Sequence, residues 1–75
     1  MNKRRRKQIS DAVGKLEICA STLESIKDDE DNSRSEIPEN LQTSEHFEAS
    51  EDCSDTMETA IENIREAINE LQSIA

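Results

Sequence analysis

Residues 57–74 read METAIENIREAINELQSI. Apolar side chains recur at Met57, Ala60, Ile61, Ile64, Ala67, Ile68, Leu71 and Ile74. Steps of three and four, with Glu, Asn and Arg between them, put one apolar stripe along a single helix face. Followed backward, the same register reaches Cys53, with Ala49 a turn earlier and Phe47 nearby. Thr43 or Ser44 can then accept a backbone N–H as N-cap, and Glu45 and Glu48 suit the positive end of the helix dipole. The pattern predicts a helix over 44–74.

A second stripe runs through Ile9, Ala12, Leu16, Cys19, Leu23 and Ile26, widened by Val13 and Ala20 on one side. This width belongs to a bundle helix rather than to a bare two-stranded zipper. Gly14 interrupts it at a cost of about 1 kcal/mol relative to Ala, which a close helix approach would justify. The pattern predicts a helix over 3–30. Each helix would be about 45 Å long at 1.5 Å per residue. Equal lengths favour an antiparallel hairpin of coiled-coil type.

The connection is expected at 31–43. Asp28, Asp29, Glu30 and Asp31 crowd the C-terminal end of the first helix, the wrong sign for its dipole, so fraying is expected there. Pro38 suits the first position of a short helical turn. Ile37 and Leu41 on either side of it could fold back over the open end of the hairpin.

One domain of 75 residues, with 32% hydrophobic side chains and Phe47 as its only aromatic, has a marginal core of its own. Self-association, a disulfide framework or a metal usually completes such a domain. Two cysteines, Cys19 and Cys53, without paired Cys/His spacing make neither a disulfide scaffold nor a zinc site. Self-association remains, and a homo-oligomeric helix bundle is the expected assembly, with Ile9, Leu16, Leu23, Ile26, Met57, Ile61, Ile64, Ile68 and Leu71 as its seam. With the hairpin turn near residues 37 and 38, Cys19 would lie opposite residue 56 or so, near Cys53. In a reducing compartment, however, both are more simply small buried hydrophobes. The basic start is followed by amphipathic sequence instead of an apolar signal segment, and no run approaches a membrane span. A cytoplasmic protein with no membrane partner is expected.

The net charge of −9 is unevenly spread. Lys3, Arg4, Arg5, Arg6 and Lys7 carry five of the nine bases, leaving four bases and eighteen acids from residue 8 onward. Such a surface disfavours duplex nucleic acid as a partner. Glu58, Glu62, Glu66 and Glu70 form an i,i+4 row, but His46 has Thr43 three residues before it, so the Glu-x-x-His pair of a helical-bundle metal site is missing. No catalytic constellation, metal or cofactor is expected. The basic run is harder to explain structurally, because bases at a helix N-terminus oppose the dipole and repel one another. Either Glu66, Glu70 and the chain carboxylate neutralise it across the hairpin, or it holds an anion with the free helix N–H groups.

The basic start, the acidic stretch Asp28 to Asp31, the string Pro38-Glu39-Asn40-Leu41-Gln42 with Ser44-Glu45, and the closing Ala60-Ile61-Glu62-Asn63-Ile64-Arg65-Glu66-Ala67-Ile68 resemble short acidic helical-hairpin proteins of phages and prophages in low-GC Gram-positive bacteria. The resemblance implies a non-enzymatic viral accessory protein acting in the host cytoplasm. Two roles follow as expectations. One is an anti-defence protein that sequesters an anionic nucleotide signal at Lys3 to Lys7. The other is an acidic inhibitor or adaptor, a mimic of nucleic-acid charge, acting on a host protein.

Overall fold

A computed structural model describes all residues from Met1 to Ala75. Two long helices pack against each other, α1 over Lys3–Ser35 and α2 over Glu45–Gln72, joined through a single 3-10 turn at Glu39–Leu41. There is no strand. The hairpin is a rod with extents of 59 × 14 × 12 Å.

Side-chain capping begins each helix. Asn2 accepts the Arg5 amide at 2.8 Å to open α1, and Ser44 accepts the Phe47 amide at 3.2 Å to open α2, where Glu45 and Glu48 occupy the first turn. α1 does not fray at its acids but continues to Ser35, five residues beyond the expected end. Cations set at helical spacing supply the reason. Lys27 reaches Asp31 at 2.8 Å and Arg34 reaches it at 2.7 Å, offsetting the unfavourable dipole. The connection shrinks accordingly. Pro38 immediately precedes the turn, and its carbonyl accepts the Leu41 amide at 2.8 Å. Ile37 is half-buried as a plug would be, but Leu41 stays 50% exposed, so only one of the two covers the hairpin end. α2 ends two residues before the expected limit, at Gln72.

The seam of α2 is the expected one from Met57 to Leu71, but Ile74, Cys53 and Ala49 are exposed, and before Met57 the inward positions fall to Ser54 and Ser50. Ile61 and Ile68 are buried, and Met57, Ile64 and Leu71 are half-buried. The seam of α1 is rotated. Val13 and Ala20, expected beside the stripe, are buried in it, whereas Ala12, Cys19 and Ile26 are exposed. Ile9, Leu16 and Leu23 are half-buried and belong to either rotation. Ile26 therefore leaves the seam and Lys27 replaces it, a correction whose cause lies at the loop end. There the inward positions of α2 are Ser50 and Ser54, and α1 must turn Asp31 and Arg34 toward them for those polar groups to find partners. That choice carries Val13 and Ala20 inward a few turns away.

Candidate functional site

Five polar side chains, Lys27, Asp31, Arg34, Ser50 and Ser54, form the most extensive hydrogen-bonded cluster in the molecule. Ser54 is buried, and its hydroxyl donates to Asp31 at 2.7 Å while accepting from Arg34 at 2.8 Å. Arg34 also donates to the Ser50 carbonyl and hydroxyl, both at 3.2 Å. Lys27 donates to the other Asp31 oxygen. Hydrogen bonds from Lys27 first, then from Ser54 and Arg34, hold the Asp31 carboxyl well below the usual carboxylate range. The same Asp31 bond raises Lys27 above its ordinary value. No buried side-chain polar atom lacks a partner. The cluster is a polar core layer, its groups spent on one another. Sequence reasoning missed it because serine at Ser50 and Ser54 carries no hydrophobic signal. The clue was their continuation of the three-and-four spacing backward from Met57.

Its bonds also measure the register of the hairpin. Arg34 with Ser50, Asp31 with Ser54, and the Arg65–Glu24 ion pair place Gln72 level with about residues 12–17 of α1. Cys19 is then level with about residues 65–70, not with residue 56. Cys53 lies more than three turns away from it along the rod. Both thiols are free and exposed rather than buried or bridged.

The same register settles where Lys3, Arg4, Arg5, Arg6 and Lys7 stand. They run on past the end of α2 as a single overhanging helix, all exposed. None pairs with Glu66, Glu70 or the chain carboxylate; the one ion pair in the cluster is Lys7 with Asp11 in its own helix, at 3.4 Å. At 100° per residue five consecutive bases point all round the helix and converge on no common point. Asn2 takes the Arg5 amide with its side chain and the Arg6 amide with its carbonyl, so only the first amides stay open. None of the five bases lines the groove between Glu30, Ser33, His46, Ala49 and Cys53 or the one between Glu24, Asp28, Glu58 and Glu62.

The acids are distributed differently. Eighteen carboxylates face nine bases, and only Asp11, Glu24 and Asp31 take part in ion pairs. Glu58, Glu62, Glu66 and Glu70 are exposed at successive turns of α2. One broad face of the rod is lined by Glu24, Asp28, Glu58 and Glu62, with Lys27 and Arg65 among them. Neither helix is long and apolar enough to cross a membrane. No protein-family model matches the chain, and no curated protein or solved structure matches it.

Proposed function

We propose that this chain is a non-enzymatic inhibitor or adaptor that binds a basic protein surface through its carboxylate rows, acting as a mimic of nucleic-acid charge. One observation carries the reading: Glu58, Glu62, Glu66 and Glu70 form a regular, exposed row on an elongated helical rod, and none of them takes part in an ion pair. A duplex presents its phosphates in the same manner, as a regular linear charge density that a basic protein recognises through its backbone-contacting Lys and Arg. Rigid helices hold the row without the ordering cost of a flexible acidic tail. The test is competition. The protein should displace a fluorescent duplex oligonucleotide from a lysine- and arginine-rich carrier such as protamine, with an affinity that falls steeply as salt rises. Replacing Glu58, Glu62, Glu66 and Glu70 with Gln should weaken displacement at least tenfold while helicity stays intact. Equal displacement by the Gln variant would refute the reading.

A second reading rests on a separate observation, the overhanging bases that no acid of α2 neutralises. Lys3 to Lys7 would hold an anionic, nucleotide-type ligand. A cyclic dinucleotide or ADP-ribose derivative that raised the melting temperature of the wild type, and not of a variant with Arg4, Arg5 and Arg6 changed to Gln, would favour it over the first.

A further inference from the structure

The seam leaves a second apolar surface uncovered. Each residue just before a seam position forms a row: Ala12, Cys19 and Ile26, all exposed, precede Val13, Ala20 and Lys27 on α1, and the half-buried Ala60 and Ala67 precede Ile61 and Ile68 on α2, with Ile74 following in the turn just past the end of α2. A step back of one residue turns about 100° in the same sense on both helices. In an antiparallel pair that brings both rows to the same broad face. The groove of about 360 Å³ that joins Glu30 and Ser33 of α1 to His46, Ala49 and Cys53 of α2 lies along this face, and the carboxylate-lined face is opposite. Ile26 and Ile74 are 48% and 49% exposed on it. The chain exposes 5694 Å², against about 4,700 Å² for a globular monomer of its 8.5 kDa. The surplus exceeds the roughly 800 Å² per partner that a stable interface buries.

The ends of the rod are oppositely charged. The overhang carries five bases, whereas residues 28–55 around the loop carry eleven acids against Arg34 alone. Two copies can stack face to face about a two-fold axis in two ways. With the axis along the helices, α1 lies over α2 of the second copy, and like ends meet: ten bases at one end and the acids at the other. With the axis across the helices, α1 lies antiparallel over α1 of the second copy, and each basic overhang meets an acidic loop end. Complementary charge selects the second arrangement.

We propose that this face is a self-docking surface on which a second copy binds antiparallel, its two-fold axis crossing α1 at Cys19 and α2 at Ala67. The rows fit that axis without adjustment. About Cys19 the spacing of seven sets Ala12 opposite Ile26 of the second copy, and about Ala67 it sets Ala60 opposite Ile74, so small faces large on both helices. The hairpin register agrees with this axis, since Ala67 lies within the stretch of about residues 65–70 that is level with Cys19. The same axis lays Lys3 to Lys7 alongside residues 31–35 of the second copy, within reach of Asp28, Asp29, Glu30 and Glu36. The carboxylate-lined faces are left on the outside of the resulting four-helix bundle.

Sedimentation equilibrium of the wild type at tens of micromolar should give twice 8.5 kDa. A short bismaleimide should then link two copies through Cys19: the wild type and Cys53→Ser are cross-linked, and Cys19→Ser is not. Charge reversal tests the orientation. A variant with Arg4→Glu, Arg5→Glu and Arg6→Glu, and another with Asp28→Lys, Asp29→Lys and Glu30→Lys, should each stay monomeric and helical by circular dichroism. Mixed one to one they should form a heterodimer, because each overhang then meets a loop end of opposite sign. A wild type that stays monomeric at hundreds of micromolar overturns the proposal. So does a dimer that Cys19 does not link, or one that the Arg→Glu variant forms as readily as the wild type.

Discussion

At the scale of single residues, Ser54 is the most consequential side chain in the seam. It is buried, donates to one charged group and accepts from another, and no apolar residue could replace both bonds. Ser54→Ala should cost about 1–3 kcal/mol, the usual consequence of stripping a buried partner from charged neighbours, read as a lower urea midpoint. Asp31 makes the same cluster sensitive to acid. Its carboxyl is depressed in the folded state, so its contribution is fully present above the unfolded value near about pH 4 and is lost as pH falls through the lower folded value. Melting temperature should therefore drop on acidification below about pH 4, and drop less steeply in Asp31→Asn. Lys27 acts in the other direction, its contribution fading only as pH rises above about 10. Gly14 illustrates a different point. A Cβ built there meets nothing within 4 Å, so no close helix approach requires the glycine. Gly14→Ala should raise stability by up to about 1 kcal/mol.

At the scale of the helices, the two elements are unlike. α2 owes its place to Ile61 and Ile68, buried one above the other at a spacing of seven. Either Ile→Ala change should cost about 2–4 kcal/mol in chemical denaturation. Ile18 of α1, 67% exposed on the side away from α2, should tolerate Ala within about 0.5 kcal/mol. α1 depends less on apolar burial: its two buried apolar side chains, Val13 and Ala20, are smaller than Ile61 and Ile68. Its lower half is held by charged and hydroxyl groups instead. This division explains why the rotation of α1 was not legible in the sequence. Ile9, Leu16 and Leu23 are shared by two possible stripes, one through Ala12, Cys19 and Ile26 and the other through Val13, Ala20 and Lys27. Hydropathy prefers the first. Hydrogen bonding to Ser50 and Ser54, sixteen to twenty-three residues away, imposes the second.

At the scale of the whole molecule, the radius of gyration is 17.3 Å, where a compact domain of this length has about 11 Å. A rod with 5 of 75 residues buried has little interior and presents mostly surface. The two thiols stand more than three turns apart along that rod. Adding reductant should therefore leave the melting temperature unchanged, and a fall of ten degrees or so would mean that the hairpin is stapled after all.

Local information sufficed for the existence of both helices, the cap of α2 and the uneven charge, because periodicity, Ser44, Glu45 and the run Lys3 to Lys7 are each read within a few residues. The antiparallel hairpin followed from two stripes of similar length. Register was another matter. The cross-helix bonds put the midpoint of the hairpin near residue 43, not at residues 37 and 38, because α1 runs on to Ser35 and the chain turns again at Glu39–Leu41 before α2 begins. Only the tertiary structure shows that shift, and with it the overhang of Lys3 to Lys7 beyond the acids of α2, the separation of Cys19 from Cys53 and the placement of Cys19 level with about residues 65–70. The physical reason is common to all three. A side chain's neighbours along its own helix are set by 3.6 residues per turn, whereas its neighbours across the hairpin are set by where a few long-range polar bonds can all be made at once.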